Sequence, residues 1–167
     1  VHDISTAEIA LALTLASLRG IDNFVRAQAT GEWLQGPRPS LAYKRVGLIG
    51  YGSIGQTIAS LLAPFHVDLV AFSRSGRDGS HTMDQLDELL PSFDVVILIV
   101  PATPETTGLF DSKRLALLKD GALLVNVARG VIVDTAALVA ELTTGRIRAA
   151  LDVMDPEPLP ADHPLWS

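Results

Sequence analysis

Three charged residues stand where apolar runs give way to polar ones, and their types suit anion binding and proton transfer. Arg129 sits between the apolar run 122–128 and Gly130. A guanidinium fork there suits a carboxylate, or a carbonyl next to one; the plainer alternative is an arginine that caps a strand edge. Asp152 lies at the end of the apolar run 147–153. Glu157 follows it between Pro156 and Pro158, whose rings fix the backbone around the carboxylate. A group that acts by holding a neighbour would be presented in this way, although a Glu in a proline-rich loop can also be simply exposed.

A fourth feature is the stretch GYGSIG, which places Gly50, Gly52 and Gly55 in the spacing G-x-G-x-x-G. The spacing alone is weak, but here it follows a strand-like run and opens a helix-like one. In that setting the first glycine permits a tight turn, the second lets backbone approach a pyrophosphate, and the third lets helix and strand pack closely. Free N–H groups at the helix start then serve the anion. The competing reading is a glycine-rich turn with no ligand. An acidic residue should close the next strand if the cofactor is NAD. That strand instead runs into Phe72-Ser73-Arg74-Ser75, with Arg77 close behind. A carboxylate would repel a 2′-phosphate, whereas Ser73, Arg74 and Ser75 could hold one. The loop therefore favours NADP(H) over NAD(H), against the alternative of a solvated loop in an NAD protein that lacks the usual acid.

The elements that must position these residues alternate. Strands are expected at 45–50, 67–72, 94–100, 122–128 and 147–153, and helices at 53–65, 82–90, 111–121 (ending at Gly121) and 134–145 (ending at a second glycine). Strand and helix alternate without a hairpin signal, so the fold class is α/β: a doubly wound, Rossmann-like parallel sheet with helices on both faces. Such sheets bind ligands at the carboxyl ends of their strands, where the glycine loop, Arg129 and Asp152 all fall. Ahead of the sheet, Ser5-Thr6-Ala7-Glu8 has capping-box spacing, so a long apolar helix is expected to start near Thr6. A more polar helix is expected over 20–35, broken by the joint GPRPS at 36–40. Residues 1–40 thus form helices and a joint, and 41–167 the sheet domain.

Totals narrow the functional classes. The chain has 167 residues, of which 48% are hydrophobic, enough for one domain with a core. A net charge of −6 argues against a nucleic-acid partner held through phosphates. The run Ile9–Leu18 is too short to span a bilayer. There is no cysteine, so disulfides and thiolate chemistry are excluded and a cytoplasmic location is compatible. His2, His66, His81 and His163 lie away from strand ends and show no metal-ligand spacing, and all four are read as non-catalytic; His66 occupies a helix-to-strand corner where unusual backbone geometry is expected. A start at Val1 and a stop after LWS suggest a piece of a longer protein.

Taken in order, VGLIGYGSIG, VPATPETTGLF (100–110), NVARGVIVD (126–134) and ALDVMDPEPLP (150–160), preceded by STAEIALALTLA, resemble the nucleotide-binding domain of the D-isomer-specific 2-hydroxyacid dehydrogenases. This group includes phosphoglycerate dehydrogenase and glyoxylate/hydroxypyruvate reductase, and the likeness runs over essentially the whole chain. It implies hydride transfer between NAD(P)H and a small 2-keto or 2-hydroxy acid. Arg129 matches the substrate-binding arginine, Glu157 the acid that partners a catalytic histidine, and Asp152 the acid near the nicotinamide carboxamide. Ser53 and Ile54 match the pyrophosphate loop, and Ser73 the position usually held by Asp. Pro101, Thr103 and Thr106 match the loop lining the cofactor, and Val127 and Ala128 the backbone beside the nicotinamide. The resemblance also implies that STAEIALALTLA is an inter-domain helix, that the chain pairs as a homodimer, and that the catalytic histidine and the substrate domain lie outside these residues. The chain alone is thus expected to bind cofactor without turnover. Glu157, where formate dehydrogenase has Gln, argues against formate. A dinucleotide-sensing corepressor of the same fold stays open as an alternative, whereas a short-chain reductase is disfavoured because no Tyr-x-x-x-Lys pair is present.

Overall fold

A computed structural model describes residues 3–166; His2 lies outside them. Five parallel strands form one sheet in the order β2-β1-β3-β4-β5: β1 (Arg45–Ile49), β2 (Asp68–Phe72), β3 (Val95–Leu98), β4 (Leu123–Asn126) and β5 (Arg148–Leu151). The order reverses between β1 and β3, and that switch point opens a crevice at the carboxyl ends of the two strands. Apolar residues alternate between the two faces. Val46, Leu48, Val95, Ile97, Leu123 and Val125 pack on one side under α1 (Asp3–Arg19) and α3 (Ser53–Leu62). Val96, Leu98 and Leu124 pack on the other with Phe72, Phe93, Leu115 and Leu138. Helices α4 (Leu86–Leu89), α5 (Ser112–Leu117) and α6 (Thr135–Thr143) supply much of this second layer. Two-sided cover explains why β3 reads as a continuous apolar run.

Several element limits differ from the sequence expectation. Helix α1 begins at Asp3, so Ser5 and Thr6 lie inside its first turns and do not cap it. Its buried face of Ala7, Ala10, Thr14 and Leu18 stabilises it from outside the local sequence, and Thr14 satisfies its hydroxyl on the Ala10 carbonyl at 2.7 Å. The second helix, α2 (Ile21–Thr30), stops at Gly31, whose φ of 71° closes the last turn, five residues before the proline-rich joint. The helix after β1 ends at Leu62 and continues as a 3₁₀ turn to Phe65. The 82–90 stretch is a chain of short turns around α4.

Helix α5 ends at Leu117, four residues before Gly121. The Arg146 guanidinium, from the far side of α6, binds the carbonyls of Leu115 and Leu118, while its Nε pairs with Glu141 at 2.7 Å. Free carbonyls at the helix end are thereby satisfied without a glycine cap, and Gly121 instead donates its N–H to Arg146 O at the turn into β4. Strand β5, at one edge of the sheet, is half-buried throughout, whereas β2 at the other edge is buried from Val70 to Phe72. His66 has a φ of 55°, as expected for its corner. At the amino ends of the strands, Asp94 accepts from the Arg45 N–H at 2.8 Å and pairs with Lys119 at 2.9 Å. Burial raises the cost of its charge, but the Lys119 ammonium, the Arg45 amide and Lys44 outweigh it and hold the Asp94 carboxyl below its ordinary range.

Candidate functional site

The three glycines of the first loop answer to three different pressures. Gly50 has a φ of 114°, and a Cβ there would lie 2.8 Å from the Ile99 carbonyl across the switch point. A Cβ on Gly55 would lie 2.2 Å from the Gly50 oxygen, so this glycine brings α3 down onto β1. Gly52 is unlike both. Its φ of −79° suits any residue, and a Cβ there would meet no protein atom within 4 Å. Nothing in the folded chain requires a glycine at 52, whereas a group lying against the loop from outside would. The first intrahelical bond of α3 runs from Gln56 N to Gly52 O at 2.9 Å, so the amides of Ser53 and Ile54 precede it at the positive end of the helix. Open backbone beside unpaired amides fits the pyrophosphate of a dinucleotide. The Ser53 hydroxyl itself donates to the Asp3 carboxylate at the start of α1, and the Ile54 side chain packs towards the core, so both serve this loop through backbone.

Beyond β2, the chain closes on itself. His81 pairs with Phe72 in a parallel bridge, and Ser73 N donates to His81 O at 2.9 Å. The Ser73 Oγ accepts from Gly76 N at 3.0 Å and lies 2.7 Å from Ser80 Oγ, which donates to Arg77 O at 2.6 Å. Because the Ser80 proton is taken by Arg77 O, Ser73 is the donor of the serine pair. Its hydroxyl shapes the loop from within, and Arg74, Ser75, Arg77, Asp78 and Gly79 are left exposed on its outer side, two cations and one carboxylate among them. The Arg77 Nε donates to Ser75 Oγ at 3.0 Å.

After β3, the loop from Pro101 to Thr107 is built around one hydroxyl. Thr106 Oγ1 donates to Pro101 O at 2.6 Å and accepts from Thr103 N at 2.8 Å. Thr106 thus sets the loop shape, while Pro101 stands exposed at its start. Nearby, the Thr103 hydroxyl and the Glu105 backbone amide hold the Glu105 carboxyl below its usual range, with the charge of Arg74 adding to the effect. The β3 loop is stitched in turn to the next one: Gly108 N donates to Val131 O and Phe110 N to Ile132 O.

Asn126, at the end of β4, governs the arginine. It is 1% exposed, and both ends of its amide are used: Oδ1 accepts from Ala128 N at 3.0 Å, and Nδ2 donates to Arg129 O at 3.1 Å. Val127 N is taken by Leu98 O. The Val127 and Ala128 amides are therefore spent inside the protein, both residues are buried, and Ala128 O accepts from the Arg129 guanidinium at 2.6 Å. Arg129 is exposed at the rim. On the neighbouring strand Asp152 N donates to Asn126 O at 3.0 Å, which sets Asp152 beside this turn with its carboxylate exposed. The chain then crosses over Gly130, and Asp155 O accepts from Thr135 Oγ1 at 2.7 Å before Glu157 is reached, also exposed.

The fold thus gathers the glycine loop, the 73–77 loop, the 101–106 loop, Arg129 and Asp152 at one end of the sheet, with Glu157 on the segment leaving it. His66 lies between α3 and β2, and His163 in the tail, where it accepts from Leu165 N at 3.3 Å. The sequence reading missed the residues that set these loops: Asn126, Thr135 and Ser80. Only Asn126 carried a local signal, as a polar residue closing an otherwise apolar strand.

Comparison with known proteins supplies the context. The chain is 40% identical over 172 residues to glyoxylate reductase from Pyrococcus horikoshii, covering 92% of this chain and 51% of that protein. Its fold matches a D-isomer specific 2-hydroxyacid dehydrogenase from Xanthobacter autotrophicus Py2, solved in complex with NADPH and MES, at a TM-score of 0.85 and 40% identity over 97% of this chain and 53% of that one. It also matches the NAD-dependent formate dehydrogenase of Staphylococcus aureus, solved with NAD, at a TM-score of 0.88 and 37% identity over 98% of this chain and 52% of that one. The chain spans about half the length of each of these relatives. With the family's sequence profile matching residues 11–167, the chain belongs to the NAD-binding domain of the D-isomer specific 2-hydroxyacid dehydrogenases.

Proposed function

We propose that this chain is the cofactor-binding half of a cytoplasmic, NADP(H)-preferring reductase of small 2-keto acids, working as a homodimer. The observation that carries the reading is Gly52, a glycine whose outer face is open and beside unpaired helix amides at the sheet's switch point. The exposed Arg74 and Arg77 support a 2′-phosphate beyond the β2 strand, with no carboxylate at 73 to oppose it. Ser73 contributes by holding the loop and Ser75 by its exposed hydroxyl. Pro101, Thr103 and Thr106 would line the groove opposite, and Val127, Ala128 and Asp152 would border the nicotinamide.

When bound, a reduced nicotinamide would supply the hydride that the C2 carbon of the acid takes up. The Arg129 fork grips the substrate carboxylate and draws charge onto the adjacent carbonyl oxygen. Glu157 steadies the protonated form of a histidine from outside these residues, which gives that oxygen its proton. A glutamate at 157 also makes formate an unsuited substrate. In the domain arrangement proposed, α1 and α2 link the sheet domain to a substrate domain. The apolar residues left exposed on α2, Ile21, Phe24 and Val25, are those a second copy would cover.

Titration of the protein with NADPH and NADH, followed by nicotinamide fluorescence at low and moderate salt, tests the cofactor reading. One charge-assisted contact to the extra phosphate is worth about 1.5–3 kcal/mol, so NADPH should bind about 10- to 150-fold more tightly. Added salt should narrow the gap. Equal or tighter binding of NADH would overturn the preference for NADP(H), and failure of both to bind would overturn the role of the glycine loop.

A further inference from the structure

We infer that Gly130, closed by Thr135, is the positioning element that fixes the Arg129 loop relative to the Glu157 loop. The inference rests on the proposed roles of Arg129 and Glu157, but its structural basis is independent of them. Gly130 does not have a left-handed φ, so its backbone conformation does not demand glycine. Space does. A Cβ at 130 would lie 1.8 Å from the Met154 oxygen, 2.0 Å from the Met154 carbonyl carbon and 2.6 Å from Asp155 N. These are backbone atoms, which cannot rotate away as a side chain would. The 154–155 backbone therefore rests directly on the Gly130 Cα. Thr135, the first residue of α6, holds the same segment through its 2.7 Å bond to Asp155 O.

The contact lies one residue after Arg129 and two to three before Glu157. Upstream, the buried Asn126 amide holds the Arg129 carbonyl, and Asp152 N is bonded to Asn126 O. Both loops are thus tied to the end of β4, and their separation is set where backbone meets Cα with no room for a methyl group. To bring a Cβ at 130 even to 3.0 Å from the Met154 oxygen, the two loops must part by more than 1 Å. A misplacement of about 1 Å between groups that act together can cost about 100-fold in rate. The glycine loop, on β1 and α3, shares no part of this contact, and Val127, Ala128 and Asp152 stay tied to Leu98 and Asn126 on the β4 side of it, so dinucleotide affinity should respond far less than turnover.

The test compares Gly130→Ala, Thr135→Val and Thr135→Ser with wild type in the full-length protein. The readouts are dinucleotide Kd, steady-state reduction of glyoxylate and hydroxypyruvate, and amide hydrogen exchange over 127–131 and 153–158. Gly130→Ala should lower kcat by about 100-fold while dinucleotide Kd stays within about threefold. Thr135→Val should give a smaller loss of kcat, and Thr135→Ser should restore it. Exchange over 153–158 should rise in Gly130→Ala and Thr135→Val and not in Thr135→Ser. If Gly130→Ala does not fold, the two Thr135 variants decide the matter by the same readouts. Wild-type kcat and exchange retained in the folded variants would overturn the inference, as would a loss of turnover matched by an equal loss of dinucleotide affinity. A wild-type protein inactive on every 2-keto acid tried would instead overturn the functional reading; the exchange pattern then judges the positioning role by itself.

Discussion

Replacing Asn126 by Asp changes one atom in the buried turn that carries Arg129, and the consequence can be worked out from the geometry. Asn126 is 1% exposed, with Oδ1 accepting from Ala128 N and Nδ2 donating to Arg129 O at 3.1 Å. In Asn126→Asp the first bond survives. The second becomes an oxygen facing an oxygen unless the new carboxyl keeps its proton and donates it. Burial and the nearby Asp152 carboxylate both favour the protonated form, and the Arg129 guanidinium offsets them in part. The folded pKa of the new acid should therefore rise above the ordinary Asp value of about 3.9. Between the unfolded and folded pKa values the native state binds the extra proton, so stability falls as pH rises. The deficit is absent below about pH 4, grows by up to about 1.4 kcal/mol per pH unit, and levels off near 3–4 kcal/mol for a rise of two to three units.

Asn126→Ala is the control. It leaves the Ala128 N–H without a partner and the Arg129 carbonyl with only the Ile132 N–H at 3.2 Å, at a cost of about 1–3 kcal/mol that does not vary with pH. Equilibrium urea unfolding by far-ultraviolet circular dichroism between pH 4.5 and 8 measures both variants against wild type. An Asn126→Asp deficit that is flat with pH, or an Asn126→Ala deficit below about 0.5 kcal/mol, would refute the view that this amide clamps the arginine turn.

Gly52→Ala places a methyl where no protein atom lies. Thermal unfolding should be unchanged or slightly improved, while dinucleotide Kd rises at least about tenfold by fluorescence titration. Arg74→Ala should weaken NADPH about tenfold or more and leave NADH within about twofold, erasing the preference. Glu157→Gln in the full-length protein should lower kcat by about 100-fold and move the histidine-dependent limb of the pH profile to lower pH, because the carboxylate that favours the charged imidazole is gone. Asp94→Asn should cost about 1–2 kcal/mol at pH 7 through weakened Lys119 and Arg45 contacts. Because the folded Asp94 pKa is lowered, that contribution is present above about pH 4 and lost as pH falls through the folded value, so wild type and variant should converge in acid.

Local chemistry wrote much of this fold openly. The apolar runs became the five parallel strands, and the central β1, β3 and β4 are apolar because they are covered on both faces, while Gly50 and Gly55 stand where β1 must turn tightly into α3. Asp111 and Asp134 begin their helices by accepting from the amides of Arg114 and Ala137, bonds that close within one turn of sequence. The limit of α5 was not legible, since Arg146 ends it from about 30 residues away. Nor was the orientation of Ser73, whose hydroxyl is claimed by Ser80 only because the chain returns to pair His81 with Phe72.

What the sequence alone determined is which residue types stand at the carboxyl ends of the strands: the glycines, Arg74, Arg129, Asp152 and Glu157. Periodicity and turn chemistry act over a few residues, and those positions follow from them. What only the tertiary structure decided is how the loops meet. Gly130 is an unremarkable residue until the 154–155 backbone is laid across it, and Asn126 is a weak strand ending until both halves of its amide are seen to be used. Those contacts depend on β5 lying next to β4 in the sheet, a pairing between stretches more than 20 residues apart that no local pattern encodes.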